Sequence, residues 1–350
     1  LPKGDSLAHS ITFASIEKQK LKSFLIIQTA FLGDVILATP LIEKLHQFYP
    51  DAKIDFLIRN GNEGLFEDHP FINKVLIWNK EQNKTKNLFS LLKQVRKIKY
   101  DYVINLQRFV STGFLTAFSN SKCKIGFNKN PFSFLFTNKI KHVIGTLSHP
   151  KHECERNLDT IQPLTDSKFI KPRLYPSVKH FENIKKYITE KYICIAPASV
   201  WFTKQFQKDK WIEFIQKIDS SLTIYLLGGK SEHEFCENIR IESNNKNCIN
   251  LSGKLSMLES ASLMENAMMN YVNDSGPMHI ASAMNANVAA IYCSTLPSFG
   301  FDPLSDKKFI IETPENLNCR PCGLHGLKNC PEKHFKCAST ININELLKLI

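Results

Sequence analysis

Residue types able to do chemistry gather in a few short segments, each placed just after an apolar run. The segment Thr29-Ala30-Phe31-Leu32-Gly33-Asp34 follows the apolar residues 24–27 and ends on a carboxylate. A carboxylate there can take a proton from a hydroxyl nucleophile or simply cap the helix that follows. The loop has no G-x-G-x-x-G pattern, which weakens a dinucleotide reading. Ala198-Ser199-Val200-Trp201-Phe202-Thr203-Lys204 offers hydroxyls and a lysine, a set that suits a phosphate group and that solvated loops also carry without a ligand. Asn273-Asp274-Ser275-Gly276-Pro277-Met278-His279 opens a helix with small residues. Backbone N–H groups can approach a diphosphate there, and the helix dipole favours its charge. Asp274 and Ser275 serve equally well as N-caps, and His279 as a packed histidine. Gly228-Gly229-Lys230-Ser231-Glu232 is a glycine turn whose glutamate can accept from a ribose hydroxyl or sit favourably in a first helical turn.

The cysteines divide into two sets. Cys123, Cys154, Cys194, Cys236, Cys248 and Cys293 are scattered, several inside apolar segments, and read as small core residues. Cys319, Cys322, Cys330 and Cys337 cluster near the end with x2, x7 and x6 between them. Four thiolates can close a tetrahedral zinc site, but this spacing is not that of a standard finger, and packed or oxidised thiols are the competing reading. Residues 1–20 are polar and mixed, with no apolar leader. They read as an N-terminal arm or a remnant of expression, and a disulfide framework is not expected.

The elements that must position these groups alternate between strand-like and helix-like. Strands are expected at 24–27, 54–58, 75–78 and 102–106, with helical spacing over 34–49 and 88–98. Thr39-Pro40 reads as a cap with a first-turn proline, so 34–49 is expected to be kinked or in two parts. Residues 168–177 contain Pro172 and Pro176 without periodicity and read as a linker, dividing the chain into domains 21–175 and 176–350. A second set begins with strands at 192–196, 223–227, 271–272 and 288–292, and helices at 211–218, 231–241, 258–267 and 278–284. This alternation predicts an α/β protein of two Rossmann-like lobes whose parallel sheets face across a cleft.

Of the 350 residues, 43% are hydrophobic and 22% charged, an ordinary globular balance. No apolar run approaches the roughly 18 residues of a membrane span. The net charge of +12 lies entirely in residues 1–180, which hold 27 Lys+Arg against 15 Asp+Glu; the rest holds 18 against 18. Such an excess suits an anionic partner such as phosphorylated lipid, membrane surface or nucleic acid, or else a solvated basic face. No helix-turn-helix, zinc-finger or RNA-recognition signature accompanies it, so nucleic acid is not the expected partner.

Taken together and in order, these segments resemble glycosyltransferase family 9, the ADP-heptose:lipopolysaccharide heptosyltransferases, over about residues 22–340. The most specific pieces are Gly33-Asp34-Val35-Ile36-Leu37-Ala38-Thr39-Pro40 and Asp274-Ser275-Gly276-Pro277-Met278-His279-Ile280-Ala281. Phe48-Tyr49-Pro50-Asp51-Ala52-Lys53-Ile54, Asp101-Tyr102-Val103-Ile104-Asn105-Leu106-Gln107 and Thr203-Lys204 support them. The resemblance implies a GT-B fold with the acceptor on the N-terminal lobe and an ADP-sugar on the C-terminal one, acting with inversion and without metal or other cofactor. It implies that Asp34 is the general base and that Gly33, Gln107 and Arg108 face the acceptor. Ser199, Thr203 and Lys204 would meet the diphosphate and Glu232 the ribose, while Asp274, Ser275, Gly276, Met278 and His279 line the nucleotide-sugar site. Kdo or heptose on phosphorylated lipid A would be the acceptor, met at the cytoplasmic face of the inner membrane. Residues 88–99 and 132–136, the latter flanked by Lys129 and Lys139, are candidates for peripheral membrane contact. A terminal helix over 343–350 is expected to cross back to the first lobe, as GT-B chains often do.

The chain departs from the family at two places. Cys293-Ser294-Thr295-Leu296-Pro297 replaces a frequent Gly-Pro-Thr, and Gln205-Phe206-Gln207 a frequent Trp-Pro. A GT-B transferase or epimerase using another nucleotide sugar, such as a UDP-sugar, and a non-catalytic binding relative remain alternatives.

Overall fold

The computed structural model describes residues 21–146 and 148–350; the arm read over residues 1–20 lies outside the described residues. Strand β1 (Ser23–Gln28) shows why the sheets form. Phe24 and Ile26 enter one buried cluster and Leu25 and Ile27 another, so both faces are covered and the strand reads as an unbroken apolar run. It pairs in parallel with β2 (Lys53–Arg59) and β4 (Tyr100–Asn105). The strands β3 (Lys74–Trp78), β5 (Ser121–Phe127) and β6 (Asn138–Ile140) complete a six-stranded sheet of order β3-β2-β1-β4-β5-β6. Its helices are α1 (Leu32–Ile36), α2 (Thr39–Phe48), α3 (Lys84–Arg96), α4 (Val110–Ala117) and α5 (Glu153–Asp159).

After α6 (Val178–Ile184) the pattern repeats. Strand β7 (Tyr192–Ala196) splits its residues the same way, Tyr192 and Cys194 to one cluster, Ile193 and Ile195 to another. The strands β8 (Thr223–Leu226), β9 (Cys248–Asn250), β10 (Asn270–Asn273), β11 (Val288–Tyr292) and β12 (Lys308–Glu312) give the order β12-β11-β10-β7-β8-β9. Its helices are α7 (Lys208–Gln216), α8 (His233–Ser243), α9 (Met257–Glu265), α10 (Gly276–Ala283), α11 (Lys336–Ser339) and α12 (Ile343–Leu347). Counted from its own first strand, each sheet has the Rossmann order, whose ligand crevice lies where the order reverses. That point falls between β1 and β4 in one sheet and between β7 and β10 in the other.

The expected break in 34–49 is present as two helices, α1 and α2, with Pro40 in the first turn of α2. Thr39 is not the cap; Ala38 is, and the Thr39 hydroxyl donates instead to the Ile36 carbonyl at 2.8 Å. The stretch 166–177 has no regular structure and is pinned to α2. Lys44, almost wholly buried there, donates to Asp166 Oδ1 at 2.5 Å, and Tyr175 Oη donates to Glu43 at 2.8 Å. The terminal helix does not cross back. Its Ile343 and Leu346 are buried in the cluster of the second sheet, α12 packs on α7, and Tyr271 Oη donates to the Leu346 carbonyl at 2.9 Å. Its apolar face is used up on its own sheet. The two halves meet instead through α1 against α10, α9 against the turn Glu63–Phe66, and α5 against the segment 299–302.

Candidate active site

The loops singled out in the sequence follow the strands that flank the two reversal points. Asp34 comes after β1, Gln107 and Arg108 after β4, residues 199–204 after β7, and residues 274–279 at the end of β10. Glu232 follows β8, one strand further out.

Asp34 sits in the first turn of α1. Burial, and then the nearby carboxylate of Glu153, push its pKa up to about 6; the backbone N–H groups of Phe31 and Asp34, and Lys204 from the other sheet, hold it down in part. Asp34 does not cap the helix: Phe31 is the N-cap, with no side-chain cap bond, and Asp34 is a first-turn carboxylate that burial makes hold its proton more tightly than an ordinary aspartate. Glu153 is buried and paired with Arg156, its Oε2 accepting from Nε at 2.7 Å and from a terminal nitrogen at 2.5 Å. Arg156 in turn reaches the Phe299 carbonyl of the second half at 3.3 Å.

Opposite Asp34, Lys204 Nζ lies 2.7 Å from Asp274 Oδ2, and the Thr295 hydroxyl donates to the same oxygen at 2.6 Å. Asn273 fastens the preceding loop. Its Nδ2 donates to the Pro197 carbonyl at 2.8 Å and its Oδ1 accepts from Phe206 N at 2.9 Å. Where the family often has Trp-Pro, Gln205 Nε2 clips the loop to the Ser199 carbonyl at 2.6 Å. The segment that replaces Gly-Pro-Thr supplies hydroxyls to the same framework. The buried Ser294 donates to Thr203 Oγ1 at 3.0 Å, and Thr203 Oγ1 also accepts from Leu327 N at 2.7 Å. The Thr203 oxygen is thereby committed to holding the cysteine-rich segment beside Lys204.

Other predicted residues divide between the rim and the core. Gln107 is buried and accepts from the Thr29 hydroxyl at 2.7 Å, while Arg108 is exposed. Arg108 acts on two histidines, His142, pushed down to about 4 by burial and then by Arg108, Arg156 and Lys129, and His325, lowered by burial and then by Lys204 and Arg108. Ser275 caps α10 by position only, with its hydroxyl on the Asn273 carbonyl at 3.3 Å. Glu232 accepts from Gly229 N at 2.6 Å, so one of its oxygens closes its own turn. Gly33 and Gly276 are close-approach positions: a Cβ on Gly33 would lie 2.6 Å from His279 Cδ2, and one on Gly276 2.7 Å from Leu32 Cδ2. His279 is buried and its pKa falls to about 3, chiefly from burial, so it is neutral. Its Nδ1 has no hydrogen-bond partner among the described residues. Met278 does not face a ligand: it is fully buried, with its sulfur 3.3 Å from Tyr292 Oη, and its reading as a sugar-site side chain is corrected to a packing role.

Cys319, Cys322, Cys330 and Cys337 line one cavity of about 200 Å³ together with His334. Among the described residues no three His, Cys, Asp or Glu side chains are grouped so as to hold a metal ion, and all ten thiols are free. Among the described residues no helix is long and apolar enough to cross a membrane.

Sequence reasoning missed Glu153, Arg156, Thr295 and Arg320, which donates to the Cys293 carbonyl at 2.6 Å and the Thr295 carbonyl at 2.9 Å. Thr295 and Arg320 lie in segments noticed only for their departure from the family or their cysteines. Glu153 and Arg156 carry no motif at all.

Two facing sheets of Rossmann order, joined by a short irregular link, constitute the GT-B architecture of nucleotide-sugar transferases. The profile of "Glycosyltransferase family 9 (heptosyltransferase)" matches residues 88–334. Lipopolysaccharide heptosyltransferase 3 of Escherichia coli K12 is 28% identical over 75% of this chain and 80% of its own. Among solved structures, a family 9 glycosyltransferase from Veillonella parvula superposes with a TM-score of 0.82 at 20% identity, covering 94% of this chain and 96% of the other. The E. coli heptosyltransferase WaaC with ADP gives 0.73 at 17% identity, covering 93% and 98%. The chain belongs to glycosyltransferase family 9, the heptosyltransferases, enzymes of lipopolysaccharide biosynthesis.

Proposed function

We propose that this chain transfers heptose from ADP-heptose, with inversion and without a metal, to an acidic sugar of the lipid-linked inner core at the cytoplasmic face of the inner membrane. Residues 21–175 then hold the acceptor and residues 176–350 the donor. The observation that carries this reading is the convergence of a strengthened base and a cation from different sheets. Asp34, raised to about 6, feels the charge of Lys204 across the crevice. Inversion needs a base on one face of the sugar and a stabilised leaving group on the other. Asp34 takes the proton of the acceptor hydroxyl as its oxygen bonds to the anomeric carbon. The bond from that carbon to the diphosphate breaks, and its electrons leave with ADP.

The charge that develops on the diphosphate is met by Lys204 and the N-terminus of α10, groups already in place before reaction. Lys204 now rests on Asp274; a bound diphosphate competes for it, and Asp274, kept in position by Thr295, is freed for donor hydroxyls. Ser199, Ser275, Gly276 and His279 line the same side, and the second oxygen of Glu232 serves the ribose. Gly33, Gln107 and Arg108 serve the acceptor, and the exposed Arg108 and Lys129, two of the cations that act on His142, suit a carboxylated sugar.

The test is calorimetric titration with ADP, UDP and GDP in one buffer, followed by transfer from ADP-heptose to a Kdo-bearing lipid A acceptor. ADP is expected to bind at least about tenfold more tightly, a difference of about 1.4 kcal/mol, and transfer to follow. A preference for UDP or GDP would overturn the donor, and ADP binding without transfer would overturn the acceptor.

A further inference from the structure

Outside the crevice, the N-terminal half carries a cavity of about 750 Å³ with walls of Trp78, Phe89, Phe109, Phe114 and Phe132. Its volume is within the roughly 300–1,000 Å³ of small-molecule sites, which are mostly apolar with a few placed polar groups. Here the polar groups are Lys80, Lys84, Thr85 and Ser111. The rings form a continuous chain: Phe89 to Phe114 at 5.6 Å between centroids, Phe114 to Phe132 at 6.2 Å, and Phe132 to Phe134 at 6.4 Å. None of these phenylalanines belongs to the buried clusters found among the described residues. Phe89 is 52% exposed, Phe109 60% and Phe134 69%. Packing alone does not require aromatic area to stand open in this way.

Two observations say what covers it. The first is charge: Lys80 and Lys84 stand on the wall, and Lys80 lies over the Trp78 ring at 4.6 Å. Burial, then Arg59 and Lys84, lower the Lys80 pKa to about 8, so an anion beside it would relieve a crowded cation. The second is continuity with the catalytic loop. Lys80 Nζ donates to the Thr29 carbonyl at 2.5 Å, in the loop that leads to Asp34, and Phe109 follows directly on Arg108. An apolar pocket with a cationic wall, continuous with the acceptor side of the crevice, fits a long alkyl chain joined to a phosphate.

We propose that this pocket receives one acyl chain of the lipid-linked acceptor, with Lys80 and Lys84 on its phosphate. The inference rests on the reading that the acceptor is lipid-linked, and it names the site for the lipid. Two measurements test it. Dodecyl phosphate, kept below its micelle concentration, is titrated by calorimetry into wild type, Phe89→Ser/Phe109→Ser and Lys84→Glu; the substituted side chains are exposed, so the variants are expected to fold. Saturable binding is expected for wild type and a loss of about tenfold or more for each variant. In parallel, KM is measured for an acylated Kdo-lipid acceptor and for the same saccharide after complete deacylation. The variants are expected to raise KM about tenfold for the acylated acceptor, with kcat, donor KM and the deacylated KM unchanged.

Equal effects on both acceptors, or no saturable binding of dodecyl phosphate, would overturn the proposal. Variants that lose only their retention on anionic vesicles would overturn it too, and would make the patch a bilayer contact. Dodecyl phosphate binding with no transfer to either acceptor supports the pocket and instead overturns the lipid-linked acceptor reading.

Discussion

An aspartate on the surface is too weak a base to help much at neutral pH, and the surroundings of Asp34 change that by withholding water. Its pKa of about 6 comes from burial first and the Glu153 carboxylate second. Asp34→Asn keeps the shape and removes the proposed base, so kcat is expected to fall roughly 10²–10⁴-fold while ADP affinity by calorimetry stays unchanged. The same substitution should raise the thermal midpoint, because the ionised carboxylate is disfavoured in the folded state. The sign follows from the two pKa values. Below about 3.8 both folded and unfolded chains hold the proton and the gain is absent; it grows up to about 6 and is full above that. Melts at pH 3.5, 5 and 7 would show this order, and a gain that shrinks with rising pH would contradict it. Glu153 offers an independent handle. Glu153→Gln removes a negative charge and should move the acidic limb of the kcat profile to lower pH, away from about 6. An unmoved limb would mean that Glu153 does not act on the base.

At the scale of elements, the crevice depends on how closely α1 and α10 approach. A methyl on Gly33 would stand 2.6 Å from the His279 ring, which is buried and closed in by Phe301 at 6.5 Å between centroids. A methyl on Gly276 would meet the half-buried Leu32 side chain, at 2.7 Å from Cδ2 and 3.3 Å from Cγ, and the clashing Cδ2 can rotate away. Gly33→Ala is therefore expected to cost about 1–3 kcal/mol in urea unfolding, and Gly276→Ala distinctly less; equal costs would contradict a rigid histidine. Thr203 is one of the side chains that hold the cysteine-rich segment, accepting from both Leu327 N and Ser294, while Arg320 anchors it to the Cys293 and Thr295 carbonyls. Thr203→Val leaves a buried donor unpaired, at a cost of about 1–3 kcal/mol, and should raise donor KM because Lys204 is the next residue. These loops were legible in the sequence because each follows a strongly apolar strand and carries small or charged residues. Their partners were not. Thr295 and Arg320 matter only because β10, β11 and the cysteine-rich segment end side by side. Met278 looked like part of a ligand loop and is instead the turn of α10 that enters the core.

Across the whole molecule, the central strands of both sheets were plain in the sequence, since covering both faces demands unbroken apolar runs. β5, β6, β9 and β12 were not. Each lies toward the margin of its sheet, and β6 and β9 have three residues apiece. Marginal strands keep charges and short lengths, as in the SKCKIGF of β5 and the KFIIE of β12. Charge is the other property of the whole chain that could be read early: the excess of +12 lies within residues 1–180, the half proposed to hold the acceptor, and the rest is balanced. A diffuse field of exposed lysines acts at a distance and is screened by salt, over about 10 Å at 0.1 M and about 3 Å at 1 M. Contacts such as those of Lys204, which is mostly buried beside Asp274, are screened far less. Raising NaCl from about 0.05 to about 0.5 M should therefore raise KM for the anionic acceptor several-fold, with donor KM changing less than twofold. Equal salt dependence for both substrates would mean that the basic half does not gather the acceptor and that its charge serves only solubility.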